Sequence, residues 1–548
     1  MKRHYPVIVA EAEARIASLL DLQCLDPSSR DYGALLAPER GYSEPGQSSG
    51  AIDQLVSVYL CPEAQRRGDA LLLQSAELYA DHLLRSQHED GTMDLRETNF
   101  HDATMIGFST QTLSFTLQLL RAHADDHPEI DTVAGKVETF LRRGVEGMLT
   151  GGFHTPNHRW VLASALTLMW NQFDDERCRR EAELYLAEGI DCTDLGEYTE
   201  RSTGIYNVVN NGSLLIMAEL LDRPQLREPV VRNLQMVLNY LEPDGTLFTG
   251  ASRRQDRGRT SYPVSYYPNF LAMAHLTGEP VYAGVADQIV DQARRPGAGG
   301  VAGLTQYLLR TEWRHEDVPA APPPASYEFH NPASSIVRLR QEELSCTLIA
   351  NNTRFLHLQA GELAVTARIA TTFYGDRGRF EPESLAADGD DWVLAQHKRW
   401  GFKRPFAQPP ETSDWDLMPH DQREEVQMRD LDLDVRVCWL PDDQAIELHL
   451  RTTGLDQVLY KVEFLLSPDG LLETDTLRVP CGEGQSAVFR SGTAIYRSGR
   501  DAIRFSGGFD SHNLTTTMRG SEEPDPTAFT LHCTDITPVN HVIRIERI

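Results

Sequence analysis

The chain has 548 residues, which is long for a single domain and predicts two or three. Hydrophobic residues make up 41% of it and charged residues 24%, a balance that permits large buried cores and argues against disorder. The formal net charge of −28 argues against nucleic acid as a partner, because a phosphate-binding surface needs a basic field.

The N-terminal segment predicts neither a signal peptide nor a membrane anchor. Its apolar run over residues 7–10 is followed by Glu11 and Glu13 and is too short for the core of a signal peptide. No stretch approaches the roughly 20 apolar residues of a membrane span. The eight cysteines are scattered without a CxxC pair, which is typical of small core residues in a reducing compartment. A cytoplasmic protein without a membrane partner is expected.

Residues 1–312 have the periodicity of successive amphipathic helices. Apolar side chains recur three or four positions apart over residues 70–84. The same spacing recurs over 110–122, 161–170, 181–187, 213–221 and 230–241. Long runs that alternate with a period of two are missing, so an all-α domain is predicted.

Four turn-forming glycines divide this helical half. Gly91, Gly152, Gly196 and Gly245 each precede a polar, aromatic segment and then an apolar helix. Their spacing of about 50 residues fits a repeat of two helices and two connections, although coincidental turns are an alternative. A true repeat predicts a ring of helical hairpins, an (α/α) toroid, whose four polar loops open at one end and build one site.

The pattern of apolar and polar residues changes after a proline-rich linker, which is predicted over residues 313–330. The segment VPAAPPPA at 318–325 forbids helix and favours a semi-rigid spacer. Short β-branched runs separated by turn residues follow at 335–339, 346–350, 363–371, 433–439, 445–451, 458–465, 487–496, 502–507 and 542–548. They predict an antiparallel β-sandwich over 331–548. The predicted fold class is multidomain α and β, with the catalytic site in the N-terminal toroid.

Polar and aromatic side chains concentrate in the four loops of the helical half. The candidates are Asn99, His101, His154, Asn157, His158, Arg159, Trp160, Tyr198, Glu200, Arg201, Tyr206, Arg253, Arg254, Tyr262 and Tyr266. Arginine forks bind carboxylate or sulfate, and aromatic faces stack on sugar rings. A solvated turn for the arginines and core packing for the tyrosines are the structural alternatives. As a group, these residues predict a site for an acidic carbohydrate.

A metal site is an alternative for the histidines, because His154 and His158 are four residues apart. Pro156 and the preceding glycines make a helix before residue 157 doubtful, and an HExxH motif is missing. We therefore predict no catalytic metal and no cofactor, with a structural divalent metal left open. Nucleophile-elbow, Walker-type and dinucleotide motifs are missing as well.

In architecture and in two short motifs, the chain resembles the heparinase II/III-like and alginate-lyase-like polysaccharide lyases. The motifs are Asn157-His158 at the head of an inner helix and the segment from Gly196 to Tyr206. The separation of His158 and Tyr206 (206 − 158 = 48) is also similar to that in these lyases. Within this group, uncharacterised bacterial heparinase-like proteins are the most similar. The resemblance implies β-elimination on a uronic-acid-containing glycan.

Such a reaction removes the C5 proton of a uronate, which is acidified only when the neighbouring carboxylate is neutralised. Asn157 and His158 suit that neutralisation, by the logic of an oxyanion hole. Tyr206 is the first candidate for proton transfer and Tyr198 the second. A second proton-transfer residue is not singled out by the sequence, and the eligible ones are His101, Tyr262, Tyr266 and Tyr374. Substrate contacts are expected from Asn99, His154, Arg159, Trp160, Glu200, Arg201, Arg253, Arg254, Tyr262, Tyr266 and, in the sandwich, Tyr374.

Three other functions stay open. A glycoside hydrolase on the same toroid, such as an unsaturated uronyl hydrolase, would use two carboxylates, for which the sequence offers Asp94, Glu97, Glu197, Glu200 and Asp256. A glycan-binding protein without activity and a uronate C5-epimerase are the others. In each case the expected partner is an acidic oligosaccharide or polysaccharide. The sequence leaves the oligomeric state open.

Overall fold

The structure is a computed structural model that describes residues 1–37, 39–152, 155–295, 297–516 and 518–548, with only the backbone at Asp376. Contacts between Cα atoms divide the chain into two units. The first comprises Met1–Leu241 and Gly245–Pro323, and the second comprises Glu242–Asp244 and Pro324–Ile548. The first is helical and the second is built of strands, as the sequence predicts.

The helices of the first unit alternate between an inner and an outer position. Those in the described ranges are α1 (Tyr5–Asp21), α2 (Gln47–Leu60), α3 (Ala70–Ser86), α4 (Ala103–Ala122), α5 (Asp131–Leu149), α6 (Pro156–Phe173), α7 (Glu176–Ala187), α8 (Tyr206–Leu220), α9 (Arg227–Leu238), α10 (Tyr267–Thr277), α11 (Pro280–Gln292), α12 (Leu304–Leu309) and α13 (Thr311–His315). The even-numbered helices up to α12 form the inner ring: α2 packs on α4, α4 on α6, α6 on α8 and α8 on α10, while α12 packs on α2 and α4. The odd-numbered helices up to α11 pack around it.

The inner helices α4, α6 and α8 run parallel and at one level. Gln111 on α4 donates from Nε2 to Ser164 Oγ on α6 (2.7 Å) and to Ser213 Oγ on α8 (2.9 Å). These residues lie eight, eight and seven positions into their helices (111 − 103, 164 − 156 and 213 − 206). Asp53 on α2 links two further inner helices to this set, accepting hydrogen bonds from Thr116 on α4 and Thr305 on α12. The N-termini of α4, α6 and α8 therefore meet at one end of the toroid, where their dipoles favour anions.

Helix α6 shows why the inner helices lack a polar face. All residues from Trp160 to Met169 are buried, because α6 packs against α4, α7 and α8. It begins at Pro156, earlier than the sequence suggested. The fixed φ of proline suits the first helical position, and its missing N–H has no partner to lose there.

All four loop turns contain a glycine with a left-handed backbone, namely Gly91, Gly151, Gly196 and Gly245. Gly91 and Gly196 have φ of 82° and 87°, and a Cβ there would lie 2.2 Å from the carbonyl oxygens of Arg143 and Arg232. These turns therefore sit against the outer helices α5 and α9. In the second loop the left-handed residue is Gly151 (φ 85°) and not the predicted Gly152.

The first unit also contains a short ribbon of β1 (Met93–Leu95) and β2 (Asn99–Asp102). The remaining strands belong to the second unit: β3 (Ser326–Asn331), β4 (Ile336–Gln341), β5 (Leu344–Ile349), β6 (Leu356–Ala360), β7 (Leu363–Thr371), β8 (Ser384–Asp388), β9 (Asp391–Lys403), β10 (Glu425–Leu440), β11 (Ala445–Gly454), β12 (Leu459–Leu466), β13 (Leu471–Thr474), β14 (Arg478–Pro480), β15 (Ser486–Val488), β16 (Thr493–Ser498), β17 (Asp501–Ser506), β18 (Phe529–Ile536) and β19 (Asn540–Arg547). Regular structure enters both ends of the predicted linker, since α13 ends at His315 and β3 begins at Ser326.

The strands form two large sheets. Over the residues described, one has the order β14-β13-β16-β17-β19-β11-β10-β9-β8 and the other β15-β18-β12-β7-β6-β5-β4-β3. Neighbouring strands are antiparallel except β15 and β18. Buried side chains from both sheets, including Leu348, Phe464, Val435 and Ile543, form one hydrophobic core between them. The predicted run 487–496 is in fact two strands, β15 and β16, that lie in different sheets.

None of the helices in the described ranges is long and apolar enough to cross a membrane.

Candidate active site

Asp256 joins the third polar loop, between α7 and α8, to the fourth, between α9 and α10. Its carboxylate is 3% exposed. It accepts hydrogen bonds from Ser202 Oγ (3.0 Å) and the Gly204 N–H (2.9 Å) in the third loop and from Ser252 Oγ (2.5 Å) in the fourth. The two loops therefore form one wall at the end of the toroid where the inner helices begin.

Glu200 is a buried carboxyl group in this wall. It is 4% exposed, and Asn157 donates from Nδ2 to both of its oxygens, at 2.9 and 3.0 Å. Arg254 Nε lies 3.4 Å from Glu200 Oε1. Burial raises the pKa of Glu200, and the Asn157 hydrogen bond and the charge of Arg254 only partly offset that rise. The carboxyl group is therefore more easily protonated than an exposed glutamate.

Tyr206 lies beside this carboxyl group at the first position of α8 and is half-buried. Its backbone N–H donates to Ser202 Oγ (3.1 Å), which fixes the start of the helix. Its hydroxyl accepts a hydrogen bond from Gln255 Nε2 (2.7 Å), and the Arg254 guanidinium carbon is 5.0 Å from its ring centroid. Asn157, Glu200, Arg254, Gln255 and Tyr206 are thus connected, and we name them the Glu200 cluster.

Asn157, in this cluster, and Asn210, beside it, have buried amide atoms for which the described residues provide no hydrogen-bond partner. Within the described part of the chain, no hydrogen-bond partner is found for Asn157 Oδ1 or for either side-chain polar atom of Asn210, and both residues are fully buried. Asn210 is four positions after Tyr206 and so shares its face of α8. Such groups are rare in folded proteins and concentrate at functional sites.

His158 and Arg159 follow Asn157 in the first turn of α6. His158 is half-buried, with its ring edge-on to that of Phe108 at a centroid distance of 6.5 Å. Arg159 forms ion pairs with Glu188 and Asp191, both at 3.2 Å. The fully buried Trp160 donates from Nε1 to the same Asp191 (3.2 Å). Arg159 and Trp160, predicted as substrate contacts, thus anchor the start of the third loop.

Tyr198 and Tyr266 are fully buried. The Tyr198 hydroxyl donates to Asn211 Oδ1 (3.0 Å) and the Tyr266 hydroxyl to the Thr203 carbonyl (2.8 Å). Burial raises the pKa of both phenols well above the usual value. The sequence ranked Tyr198 second for proton transfer and Tyr266 as a sugar contact, and their burial argues against both roles.

The first loop lies at the same end of the toroid, because Asp102 caps the N-terminus of α4 by accepting from the Thr104 N–H (2.7 Å). Asn99 donates to Asp102 Oδ2 (3.0 Å). His101 is exposed, has a left-handed backbone (φ 50°) and contacts Asp90 Oδ2 from Nδ1 (2.8 Å). Its ring stacks on that of His88 at 3.8 Å.

The remaining candidates are spread over the third and fourth loops and the second unit. Arg201 is half-buried, and burial, together with the nearby charge of Arg253, lowers its pKa. Arg253 is exposed, and Tyr262 is half-buried at the turn that leads into α10. Tyr374 belongs to the second unit, where its ring packs edge-on against Phe373 and Phe402. The second-loop candidate His154 lies outside the described residues.

Sequence reasoning missed Gln255 and Asn210. Gln255 lies among the arginines of the fourth loop, and only those charged residues were considered as ligands for an anion. A signal for Asn210 existed, since its spacing of four from Tyr206 places it on the same helical face. Elsewhere in the described residues, no group of three or more His, Cys, Asp or Glu side chains is placed to hold a metal ion.

The chain matches no protein-family model and no curated protein. Among solved structures it is similar to the Paenibacillus xanthan lyase, with a TM-score of 0.55 and 9% identity over 99% of this chain and 57% of that one. It is also similar to the Streptomyces coelicolor A3 chondroitin AC lyase in complex with chondroitin sulphate, with a TM-score of 0.51 and 14% identity over 100% of this chain and 79% of that one. The chain therefore spans little more than half the length of the xanthan lyase.

Sequence identities this low establish a similar fold and nothing further. They confirm the predicted class, a helical toroid followed by an antiparallel β-sandwich, as a fold shared with polysaccharide lyases. The likeness is to xanthan and chondroitin AC lyases and does not point to the heparinase-like proteins in particular.

Proposed function

We propose that this chain is a polysaccharide lyase that cleaves a uronic-acid-containing glycan by β-elimination at the Glu200 cluster. One observation carries the proposal: the half-buried hydroxyl of Tyr206 has an amide donor at its oxygen and a guanidinium beside its ring. This arrangement lies where the inner helices begin, in a fold similar to those of xanthan and chondroitin AC lyases.

The reaction breaks the C5–H and C4–O4 bonds of the uronate and forms a C4–C5 double bond, without consuming water. Arg254 is placed to neutralise the uronate carboxylate, which makes the C5 proton more acidic. Tyr206 reacts as its phenolate: it takes the C5 proton, passes it to O4 of the departing sugar as the C4–O4 bond breaks, and ends as the phenolate again. The Gln255 N–H donates to the same oxygen and stabilises its negative charge.

Asn157 contributes to this reaction by positioning Glu200. Because its Nδ2 is bound to both carboxyl oxygens of Glu200, it positions the group that lies beside Arg254. The predicted contact of Asn157 with the substrate carboxylate would require the amide to leave Glu200. His158, next to it in the same turn, keeps its predicted role as a carboxylate contact.

A glycoside hydrolase is the second candidate, and the raised pKa of Glu200 favours it. A buried, protonated glutamate is the usual general acid of such enzymes. Both stereochemical routes also need a second carboxylate near the bond. Asp256 is the neighbouring one in this wall, and its three hydrogen bonds commit it to holding the two loops together.

A panel of uronate glycans separates the two candidates. Under the lyase proposal, ultraviolet absorbance from the conjugated C4–C5 double bond rises in step with new reducing ends. Reducing ends without that absorbance would establish hydrolysis instead. Binding with neither signal on any glycan would leave the glycan-binding protein without activity and the uronate C5-epimerase as alternatives.

The cytoplasmic location predicted from the sequence has a consequence for the substrate. Large polymers do not cross a membrane unaided, so short imported oligosaccharides would be the natural substrates. We propose that kcat/KM is higher for tetrasaccharides than for the same amount of intact polymer. The reverse preference would count against this location.

A further inference from the structure

A cavity of about 560 Å³ lies between the α1–α2 connection, the end of α3 and the first polar loop. Its lining includes Arg30, Arg85, Arg96, Tyr32, His88 and Asp94. Three arginines thus face one carboxylate, in a chain whose net charge is −28. We name it the arginine cavity.

The guanidinium groups of this cavity are held by the fold to different degrees. Arg96 Nη1 donates to Asp31 Oδ1 and to the Ser43 carbonyl, both at 2.8 Å, and Asp31 is itself buried. Arg85 Nη2 donates to the Tyr32 carbonyl. The side chain of Arg30 is 76% exposed, and its Nε lies 3.5 Å from Asp31 Oδ2. Arg96 is therefore held by two contacts and Arg85 by one, whereas Arg30 forms a long surface ion pair that a ligand anion can replace.

The arginine cavity belongs to the same end of the toroid as the Glu200 cluster. His88 lines the cavity and stacks on His101, which directly precedes the N-cap of α4. Around the inner ring, α6 separates α4 from α8, where Tyr206 lies. With neighbouring helices about 8–10 Å apart, the cavity is roughly 20 Å from Tyr206 around the rim.

We infer that the arginine cavity is a distal subsite for a carboxylate or sulfate group of an acidic glycan. Guanidinium groups pair with both anions in bidentate fashion, and the ring of Tyr32 offers a face for a sugar. The inference rests on the proposed function for its substrate class. The separation of roughly 20 Å means that only an oligosaccharide several sugars long reaches both places.

Contacts that far from the reacting bond are the same in the ground state and the transition state. Losing them raises KM and leaves kcat unchanged. The effect depends on chain length, because a disaccharide at Tyr206 does not reach the cavity. A merely structural role for these arginines would instead lower stability and affect all substrates alike.

The test measures dissociation constants by calorimetry in the Tyr206→Phe background, which prevents turnover. Arg30→Glu and Arg85→Glu are each compared with Arg180→Glu, a charge-matched control on the outer helix α7. The ligands are a uronate hexasaccharide, its sulfated form, its carboxyl-reduced neutral form and a uronate disaccharide. The sulfated and unsulfated hexasaccharides distinguish the two anions.

Each cavity variant should weaken hexasaccharide binding about tenfold or more and leave the neutral and disaccharide ligands within twofold. Equal weakening by Arg180→Glu would mean general repulsion and would overturn the inference, as would unchanged binding in both cavity variants. Circular dichroism and thermal midpoints identify a misfolded variant, in which case Arg30→Gln replaces it. A wild-type protein without lyase activity whose cavity variants still lose binding would refute the proposed function alone.

Discussion

In the second unit, the buried charges around Arg368 pair with one another. Arg368 on β7 and Glu463 on β12 are direct cross-strand neighbours, 4% and 3% exposed at their side chains, and they form an ion pair. Arg368 also donates to Glu522 (2.7 Å), and Lys461 donates to Glu463 and to the Thr515 carbonyl, both at 2.8 Å. In the first unit, the equally buried Glu200 has an amide and a cation at 3.4 Å, and its pKa is raised.

Buried charges that are fully paired stabilise the fold, whereas a buried charge that is only partly paired is available for chemistry. A buried ion pair is tolerated when every lone pair and proton is matched, and then it specifies one packing of the strands. A buried carboxyl group that is only partly compensated titrates near neutral pH more readily and marks a functional site. Asn157 Oδ1 and the side-chain amide of Asn210 belong with Glu200 in this comparison, because they are buried and have no hydrogen-bond partner among the residues described. We therefore expect changes in the Glu200 cluster to alter activity and changes around Arg368 to alter stability.

Tyr206→Phe should have the largest effect. It removes the hydroxyl that transfers the proton, and turnover should fall by about 10²- to 10⁴-fold while the thermal midpoint stays nearly unchanged. Initial rates of double-bond absorbance measure the loss. Tyr185→Phe, on the outer helix α7, is the matched control and should keep its rate. Normal turnover in Tyr206→Phe would remove this residue from the mechanism.

Arg368→Met should cost about 3–5 kcal/mol in the free energy of unfolding of the second unit, because Glu463 and Glu522 lose a buried partner. Urea-induced unfolding measures the change. Arg497→Met removes a surface ion pair with Glu473 on the same unit and should cost at most about 1 kcal/mol. Equal costs for the two variants would remove the distinction between paired core charge and surface charge.

Glu200→Gln should separate the lyase from the hydrolase and also change the pH dependence of stability. A lyase should keep its rate within about tenfold, whereas a hydrolase would lose its general acid and fall by about 10²-fold or more. The folded pKa of Glu200 is raised, so the wild type loses stability as the pH rises through that pKa and the buried group ionises. The neutral variant lacks this loss.

Urea midpoints of wild type and Glu200→Gln, measured from about pH 4 upward, test the sign of this linkage. The variant should become more stable relative to the wild type as the pH rises toward neutral. If the stability of the variant relative to the wild type falls as the pH rises, Glu200 is stabilised in its charged form.

Gln255→Ala should have the smallest effect. It removes one neutral hydrogen bond to the Tyr206 hydroxyl, whose net contribution is about 0.5–1.5 kcal/mol, so kcat should fall by at most about tenfold. Gln235→Ala, exposed on the outer helix α9, is the control. A loss as large as that of Tyr206→Phe would give Gln255 a direct part in proton transfer.

The fold could be predicted because the spacing of apolar residues in the sequence reflects the periods of helices and strands. Helical spacing in the first half and short β-branched runs in the second depend on local burial patterns, and the turns at Gly91 and Gly196 need left-handed glycine. Seven strands in the described part of the second unit were missed, namely β3, β6, β8, β9, β13, β14 and β18, although β9 is 13 residues long. The burial pattern of β9 alternates only in part, and its charged outer face resembles a loop.

The site could be predicted only as a set of segments. Asn157, Glu200 and Tyr206 stand in the segments that the sequence selected, but nothing local distinguishes the half-buried Tyr206 from the buried Tyr198 eight positions earlier. Both precede or begin an inner helix, and only packing decides which side chain faces outward. The arginine cavity was not predictable, because Arg30, Arg85 and Arg96 come from the α1–α2 connection, the last turn of α3 and the first polar loop.

The most direct test of the central claim is to digest a defined uronate oligosaccharide in water labelled with heavy oxygen and to weigh the products. Elimination consumes no water, so the account predicts products whose masses sum to that of the substrate, no heavy oxygen in either, and a C4–C5 double bond in one of them. A product that has gained one labelled water at its new reducing end would contradict the lyase proposal and establish hydrolysis.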